Sequence, residues 1–241
     1  MRSHKGFTLI ELLVTMVITV ILMMAIYGAI NSAQRSTQGI ERKVTAQQDT
    51  RAAVELMAME IRMASYNPNF VTNIWVDPGN CFSTSGNQTY QGIQAATNNL
   101  ITIEMDINEN SVITNNTNTD PNETISYVYD AANQYITRMT NCSGSAQPFL
   151  GETAASGRPR TVRVINDVNG NGTYDAGVDI PIFRYFDGSG TELTSWPADI
   201  PNIRRIDITL AVETAEIDPM TNQRRRLVYS TSVTPRNHVA N

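Results

Sequence analysis

The chain has 241 residues, 41% of them apolar and only 17% charged, with a formal net charge of −5. That length holds one ordinary folded domain plus an extension, in a protein light in salt bridges. The acidic balance gives no support to a chain that coats nucleic acid or an anionic membrane, and two cysteines are too few for a disulfide scaffold.

The N-terminus is the most informative stretch. Met1–Gly6 is short and basic, and it leads into Phe7-Thr8-Leu9-Ile10-Glu11. From Leu12 to Ile30 no residue is charged, which makes about 29 Å of helix, close to the hydrocarbon thickness of a bilayer. Arg2 and Lys5 keep their end cytoplasmic and deliver the remainder to the other side. An ordinary secretory signal fits badly, because its apolar region is about 7–15 residues and ends at a small-x-small cut site. A plain anchor leaves Glu11 unexplained, since a carboxylate in a membrane span costs roughly 2.5–3.5 kcal/mol and needs a partner. Cutting before Phe7 would create an α-amine one helical turn from Glu11, and that amine is the natural partner.

Lys5-Gly6-Phe7-Thr8-Leu9-Ile10-Glu11 resembles the cleavage and methylation signature of type IV pilins and type II secretion pseudopilins. The resemblance implies that a membrane prepilin peptidase cuts after Gly6 and methylates Phe7. It also implies that Glu11 pairs with a neighbouring subunit's N-terminus during assembly. The implied partners are other pilins, the peptidase, an inner-membrane assembly platform and, before assembly, the membrane itself. The implied location is the inner membrane as a single-pass protein with an extracytoplasmic head, then a filament at the cell surface.

The helix should continue past the span. Ile40, Val44, Val54, Met57, Ile61 and Ala64 follow three-to-four spacing, with Gln47 and Arg51 in the same stripe. This predicts an amphipathic rod that stops at Asn67-Pro68, with Gly28 and Gly39 as its soft points. The expected organisation is a cleaved leader over 1–6, a membrane helix over 7–30, an amphipathic helix over 31–66 and a β-rich head over 67–241. The expected fold class is therefore α+β, a long N-terminal helix packed on a mainly antiparallel sheet.

In the head, Leu100–Ile107 alternates as a half-buried strand should. Ile125–Tyr129 and Tyr135–Met139 flank a hairpin loop, and Thr161–Ile165 and Ile182–Phe186 read as short strands. Ile206, Ile208, Leu210 and Val212 line one face of a longer strand, which Asp218–Asn222 turns into Leu227–Val233. Segments 78–99 and 108–122 are rich in Asn, Thr, Gly and Ser and read as surface loops. Arg62-Met63-Ala64-Ser65-Tyr66 and the closing Val233-Thr234-Pro235-Arg236-Asn237 resemble the PilW-like minor pilins and the J-type pseudopilins.

Asp167, Asn169, Asn171, Thr173 and Asp175 place oxygen-bearing residues at alternate positions, with Gly172 sixth. That matches the first nine positions of a calcium loop of the EF-hand or dockerin kind. The twelfth position departs from it, being Val178, with Asp179 one residue late. The same residues also make an ordinary Asn-Gly turn that binds nothing. Cys81 and Cys142 can form one bridge in an oxidising compartment.

No catalytic constellation stands out. His4 and His238 lie near the two ends, no Gly-x-Ser-x-Gly elbow is present, and no pair of carboxylates is singled out. Arg204-Arg205 and Arg224-Arg225-Arg226 read as an exposed strand face paired with nearby carboxylates, so nucleic acid is not an expected partner. The reading favoured is a non-enzymatic minor pilin that helps initiate or cap a filament. The alternatives are a J-type type II secretion pseudopilin and a membrane-anchored extracytoplasmic binding or enzymatic domain.

Overall fold

The computed structural model describes residues 6–76, 88–114, 119–142, 145–151 and 160–238. The predicted long helix is α1 (Leu9–Arg62), 54 residues without interruption and about 80 Å long at 1.5 Å per residue. A capping box fixes its start: Thr8 Oγ1 accepts the Glu11 amide at 3.3 Å, and the Glu11 carboxylate accepts the Thr8 amide at 2.9 Å. Its end falls short of the Asn67-Pro68 stop. Ser65 turns into the left-handed region, with φ of 66°, and its amide donates to the Glu104 carbonyl at 2.9 Å. Gly92, also left-handed, lets the neighbouring backbone come close, since a Cβ there would stand 2.7 Å from Ser65 Cα.

Among the described residues ten strands make two antiparallel sheets. The first is a meander of β1 (Ile93–Thr97), β2 (Leu100–Glu104), β3 (Thr124–Asp130), β4 (Tyr135–Thr140) and β5 (Gln147–Leu150), in that order. The second contains β6 (Val162–Val164), β7 (Phe183–Phe186), β8 (Glu192–Leu193), β9 (Arg205–Thr214) and β10 (Arg226–Val233). Its order is β10-β9-β7-β8, with β6 pairing β9 from Val162 opposite Thr214 to Val164 opposite Val212. The β9–β10 ladder runs unbroken from Arg226 opposite Glu213 to Val233 opposite Ile206, as the alternating pattern there predicts.

Two of the sequence expectations are corrected. The segment over 78–99, read as a loop, contains β1, whose buried Ile93 and Ala96 are flanked by Gln94 and Thr97. Small and polar residues masked the strand there. The strand at Leu100 ends at Glu104, and it is not half-buried: Thr102 and Glu104 on its second face are 0% exposed, like Ile101 and Ile103 on the first. The chain after the helix covers that second face, with the Val76 amide donating to Glu104 Oε2 at 3.2 Å. Thr102 and Glu104 are bonded within the fold: the Thr102 and Ser126 hydroxyls are 3.0 Å apart, and Glu104 Oε2 also accepts the Gln94 side-chain amide at 3.1 Å.

The sheets and α1 share one core, in which Ile101, Ile125 and Tyr127 meet Ile206, Ile208, Leu210 and the helix residues Met57 and Ile61. Turns lock the sheets together. The Phe183 amide donates to the Asn98 carbonyl at 3.0 Å, and the Val164 amide to the Gln134 carbonyl at 3.0 Å.

Candidate functional site

The predicted apolar stripe of α1 is shifted in the structure. Val54, Met57 and Ile61 are buried, but Ile40 is 61% and Val44 42% exposed, and Arg51 faces solvent in an ion pair with Glu55 at 3.0 Å. The residues that complete the buried face are Ala46, Thr50, Ala53 and Ala58. They are small, so the helix axis approaches β9 and β10 closely, and the Thr50 hydroxyl is satisfied by the Ala46 carbonyl at 2.7 Å. Sequence reasoning weighted bulk and so missed the close-packing signal carried by three alanines.

N-terminal to that face the helix is bare. It holds an 18-residue window long and apolar enough to cross a membrane, and none of that window is buried. Phe7 is 89% exposed, and Gly6 before it is exposed on non-helical chain, where a protease could reach the bond between them. Glu11 is also exposed. In the uncut chain its carboxylate is held locally, accepting from both the backbone amide and the hydroxyl of Thr8. The Glu11 carboxylate therefore already lies in the turn that a new Phe7 amine would enter.

The loop after β6 brings its predicted residues together. Asp167 accepts the amides of Gly170 and Gly172, each at 2.7 Å, and the side-chain amides of Asn169 and Asn171 both reach Asp175 at 2.6 Å. Thr173 Oγ1 donates to Asn171 at 2.8 Å. Asp179, one residue late in the sequence pattern, folds back to accept the Val168 and Asp175 amides at 2.8 and 2.7 Å. Tyr129 sits at the base of the loop, accepting the Asp167 amide at 3.2 Å and donating to the Val164 carbonyl. Burial pushes this phenol up to about 12, and the Asp167 and Asp179 charges add to that. As the loops lie, no three His, Cys, Asp or Glu side chains among the described residues gather closely enough to hold a metal on their own.

Cys142 lies buried just after β4, and no described cysteine is free. Its predicted partner Cys81 is outside the described residues. Arg205 pairs with Asp207 at 3.2 Å, Arg224 with Glu213 at 3.6 Å and Arg225 with Asp218 at 2.7 Å, as expected, whereas Arg204 donates to the Pro201 and Ile203 carbonyls. Arg205 also lies over the Phe186 ring, 4.1 Å from its centroid.

Two groupings were not foreseen. The strings around Arg62–Tyr66 and Val233–Asn237, far apart in sequence, meet in space. The Arg236 amide donates to the Arg62 carbonyl at 3.3 Å, and His238, 1% exposed, lies 3.0 Å from the Ser65 hydroxyl. On the other side of α1, Glu60 accepts Arg138 through two nitrogens at 2.6 and 3.1 Å and takes the Tyr127 hydroxyl as well.

Residues 1–27 match the family model described as the prokaryotic N-terminal methylation motif, the prepilin-type signature. The match supports a type IV pilin-like protein processed by a prepilin peptidase and assembled with other pilins, and the bare apolar helix fits membrane anchoring before assembly. Comparison with curated proteins and with solved structures found no match.

Proposed function

We propose that the chain is a minor pilin, a non-enzymatic subunit that helps initiate or cap a type IV pilus-like filament. The observation that carries this is the joining of a methylation motif over residues 1–27 to an apolar helix with no covering partner in its own head. A helix apolar on all sides needs lipid or other helices around it, and a filament core supplies them after the membrane does. The long Asn- and Thr-rich loops of the head favour a pilus subunit over a J-type secretion pseudopilin. N-terminal mass spectrometry of membrane-extracted protein tests the first step. Mature chains should begin at N-methylated Phe7; an intact Met1 or a start near Gln34 rejects the filament reading. Glu11→Ala should still be inserted and cut, because losing a charge eases insertion, yet it should be depleted from filaments. Normal incorporation of that variant removes Glu11 from the assembly mechanism.

Two features of the head belong to the same reading. A Cys81–Cys142 bridge would close a loop of about 60 residues and contribute about 4 kcal/mol on a chain-entropy basis; non-reducing peptide mapping of exported protein checks it. The donor set at Asp167, Asn169, Asn171, Asp175 and Asp179, with the Thr173 carbonyl, is all hard oxygen and fits calcium at the weak extracellular affinity of ~10⁻⁴–10⁻³ M. Calcium there would neutralise carboxylates that otherwise repel. Melting of the full-length chain in detergent should rise with millimolar calcium, and Asp167→Ala should reduce that rise.

A further inference from the structure

The segment between β2 and β3 repeats the plan of the Asp167 loop, with Asp, Asn and Asn at the same alternate positions and Ser111 where that loop has Gly172. Asp106 Oδ2 accepts the Ser111 amide five residues on at 3.0 Å, just as Asp167 Oδ2 accepts Gly172. Asn108 and Asn110 occupy the alternate positions, and both side-chain amides converge on one remote carboxylate, Asp120 Oδ1, at 3.1 and 2.7 Å. Asn169 and Asn171 converge on Asp175 in the same way. Glu123 Oε1 takes the Ile107 amide at 3.0 Å, the role that Asp179 plays for Val168. The sixth position is left-handed in both loops, with φ of 68° at Ser111 and 83° at Gly172. Serine in place of glycine hid the pattern in the sequence.

This segment differs from the Asp167 loop in one decisive respect, which is burial. Asp106 and Glu123 are 0% exposed and Asp120 1%. Asp106 Oδ1 and Glu123 Oε2 are buried with no hydrogen-bond partner. No arginine, lysine or histidine among the described residues makes an ion pair with any of the three. Buried carboxylate oxygens without a partner destabilise the fold unless they are neutralised or bound. Here two of them belong to carboxylates that flank Asn108 and Asn110 in the segment between β2 and β3.

We propose that Asp106, Asn108, Asn110, Asp120 and Glu123 form a second cation site, built for calcium and independent of the loop at Asp167. The donors are all oxygen, which selects against zinc. They come from an irregular loop and a remote segment, which suits the variable coordination of calcium better than the strict octahedron of magnesium. Asp120 accepts the Asn108 and Asn110 N–H groups on Oδ1 and the Thr114 and Thr119 hydroxyls on Oδ2; with the ion bound, it gives up one of these bonds to turn a lone pair to the cation. Each Asn Oδ1, which caps the amide two residues on, keeps a second lone pair for the ion. As they lie, the three carboxylates are not gathered closely enough to hold an ion, so binding must draw them together.

The test uses the full-length chain in detergent, carrying Asp167→Asn to silence the other loop, stripped with chelator and titrated with calcium chloride. Amide hydrogen exchange at Ile107, Asn108 and Ser111 should slow at least tenfold with calcium and remain unchanged with equal magnesium. Adding Glu123→Gln should abolish the slowing and one equivalent of bound calcium. In chelator, the same substitution should raise the melting temperature, because it removes a buried charge that nothing balances. Asp106→Asn repeats the test if Glu123→Gln does not fold. Exchange at 106–112 that is identical in calcium and chelator overturns the proposal, as does calcium binding that both substitutions leave intact.

Discussion

Residues Leu12–Ile30 and Ala46–Ile61 belong to one unbroken helix and have opposite surroundings. The first stretch is bulky and apolar on every side, and its side chains stand about half exposed or more, from Val14 at 48% to Tyr27 at 73%. The second is mixed, and it buries a single stripe against the head. What separates them is side-chain size as much as polarity. Ile40 and Val44 are bulky and stay outside, whereas Ala46 and Thr50 are 0% exposed because they let the sheet come near. Apolar bulk on every side thus marks the part of the helix that needs an external partner, whereas Val54, Met57 and Ile61 confine it to one stripe. Small residues at three-to-four spacing mark the part that docks within its own chain.

The largest expected effect breaks this contrast directly. Met57 is 0% exposed in the core, and Leu22 is 57% exposed on the bare half. Met57→Ala should cost the head about 2–5 kcal/mol through lost burial and a cavity. Leu22→Ala should leave head stability within about 0.5 kcal/mol. Denaturant unfolding of the full-length chain in detergent, followed by the fluorescence of Trp75 and Trp196, checks both. Equal losses would mean that the bare half is folded onto the head in solution.

The polar clamp on the docked half comes next. Glu60 and Arg138 side chains are 12% and 23% exposed. Arg138→Ala leaves a nearly buried carboxylate facing Tyr127 without its cation. Breaking a fully buried pair costs about 3–5 kcal/mol, so this partly wetted one should cost about 2–3. Unfolding of Arg138→Ala and of Glu60→Gln/Arg138→Ala checks it; the double variant should recover part of the loss, since no charge is then stranded.

Much of this architecture was legible in the sequence. The bare span, the β3–β4 hairpin and the β9–β10 ladder follow from local rules of period and turn chemistry. The remainder depends on contacts between distant residues. Glu60 is an ordinary polar position of a helix until Arg138 and Tyr127 arrive from other strands. Gln94 and Ala96 read as loop residues because their burial comes from the helix end and from the chain that covers the sheet. Asp106 and Glu123 were hidden by a serine where glycine was expected and by a carboxylate brought from the far end of the loop.

A smaller effect should appear with pH where the docked half ends. His238 Nε2 lies 2.9 Å from the Ile200 carbonyl, while Nδ1 is 3.0 Å from the Ser65 hydroxyl. Burial holds this imidazole below its ordinary value of 6.5, and the nearby Arg204 charge adds to that, against the Ile200 and Gln91 carbonyls. With the folded pKa depressed, the unfolded chain binds the proton first as pH falls. Stability is therefore full above about pH 6.5 and declines below it, at no more than about 1.4 kcal/mol per pH unit. Between pH 7.5 and 5.5 the wild type should lose stability, by no more than about 1.4 kcal/mol, and His238→Gln should flatten that slope. A slope unchanged in the variant assigns the pH response to other groups.

The smallest effect locates the border between the two regions. Arg42 is the first helix residue tied to the head, with its guanidinium 2.5 Å from the Glu216 carboxylate and 2.9 Å from the Ile217 carbonyl. It lies between exposed Ile40 and exposed Val44, ahead of the first buried residue, Ala46. Its partner Glu216 is 64% exposed, so solvent screens the pair. Exposed pairs contribute about 0.2–1 kcal/mol, and Arg42→Ala should shift head unfolding by no more than that. Its effect on local opening should be clearer, because helix hydrogen bonds near Gly39–Val44 have no buried apolar side chains to hold them shut. Amide hydrogen exchange in detergent should speed up over that turn alone and leave Thr50–Ile61 unchanged. If protection is lost as far as Met57, the docked half begins at the ion pair and not at Ala46. If nothing changes, the border is set by the alanine stripe alone.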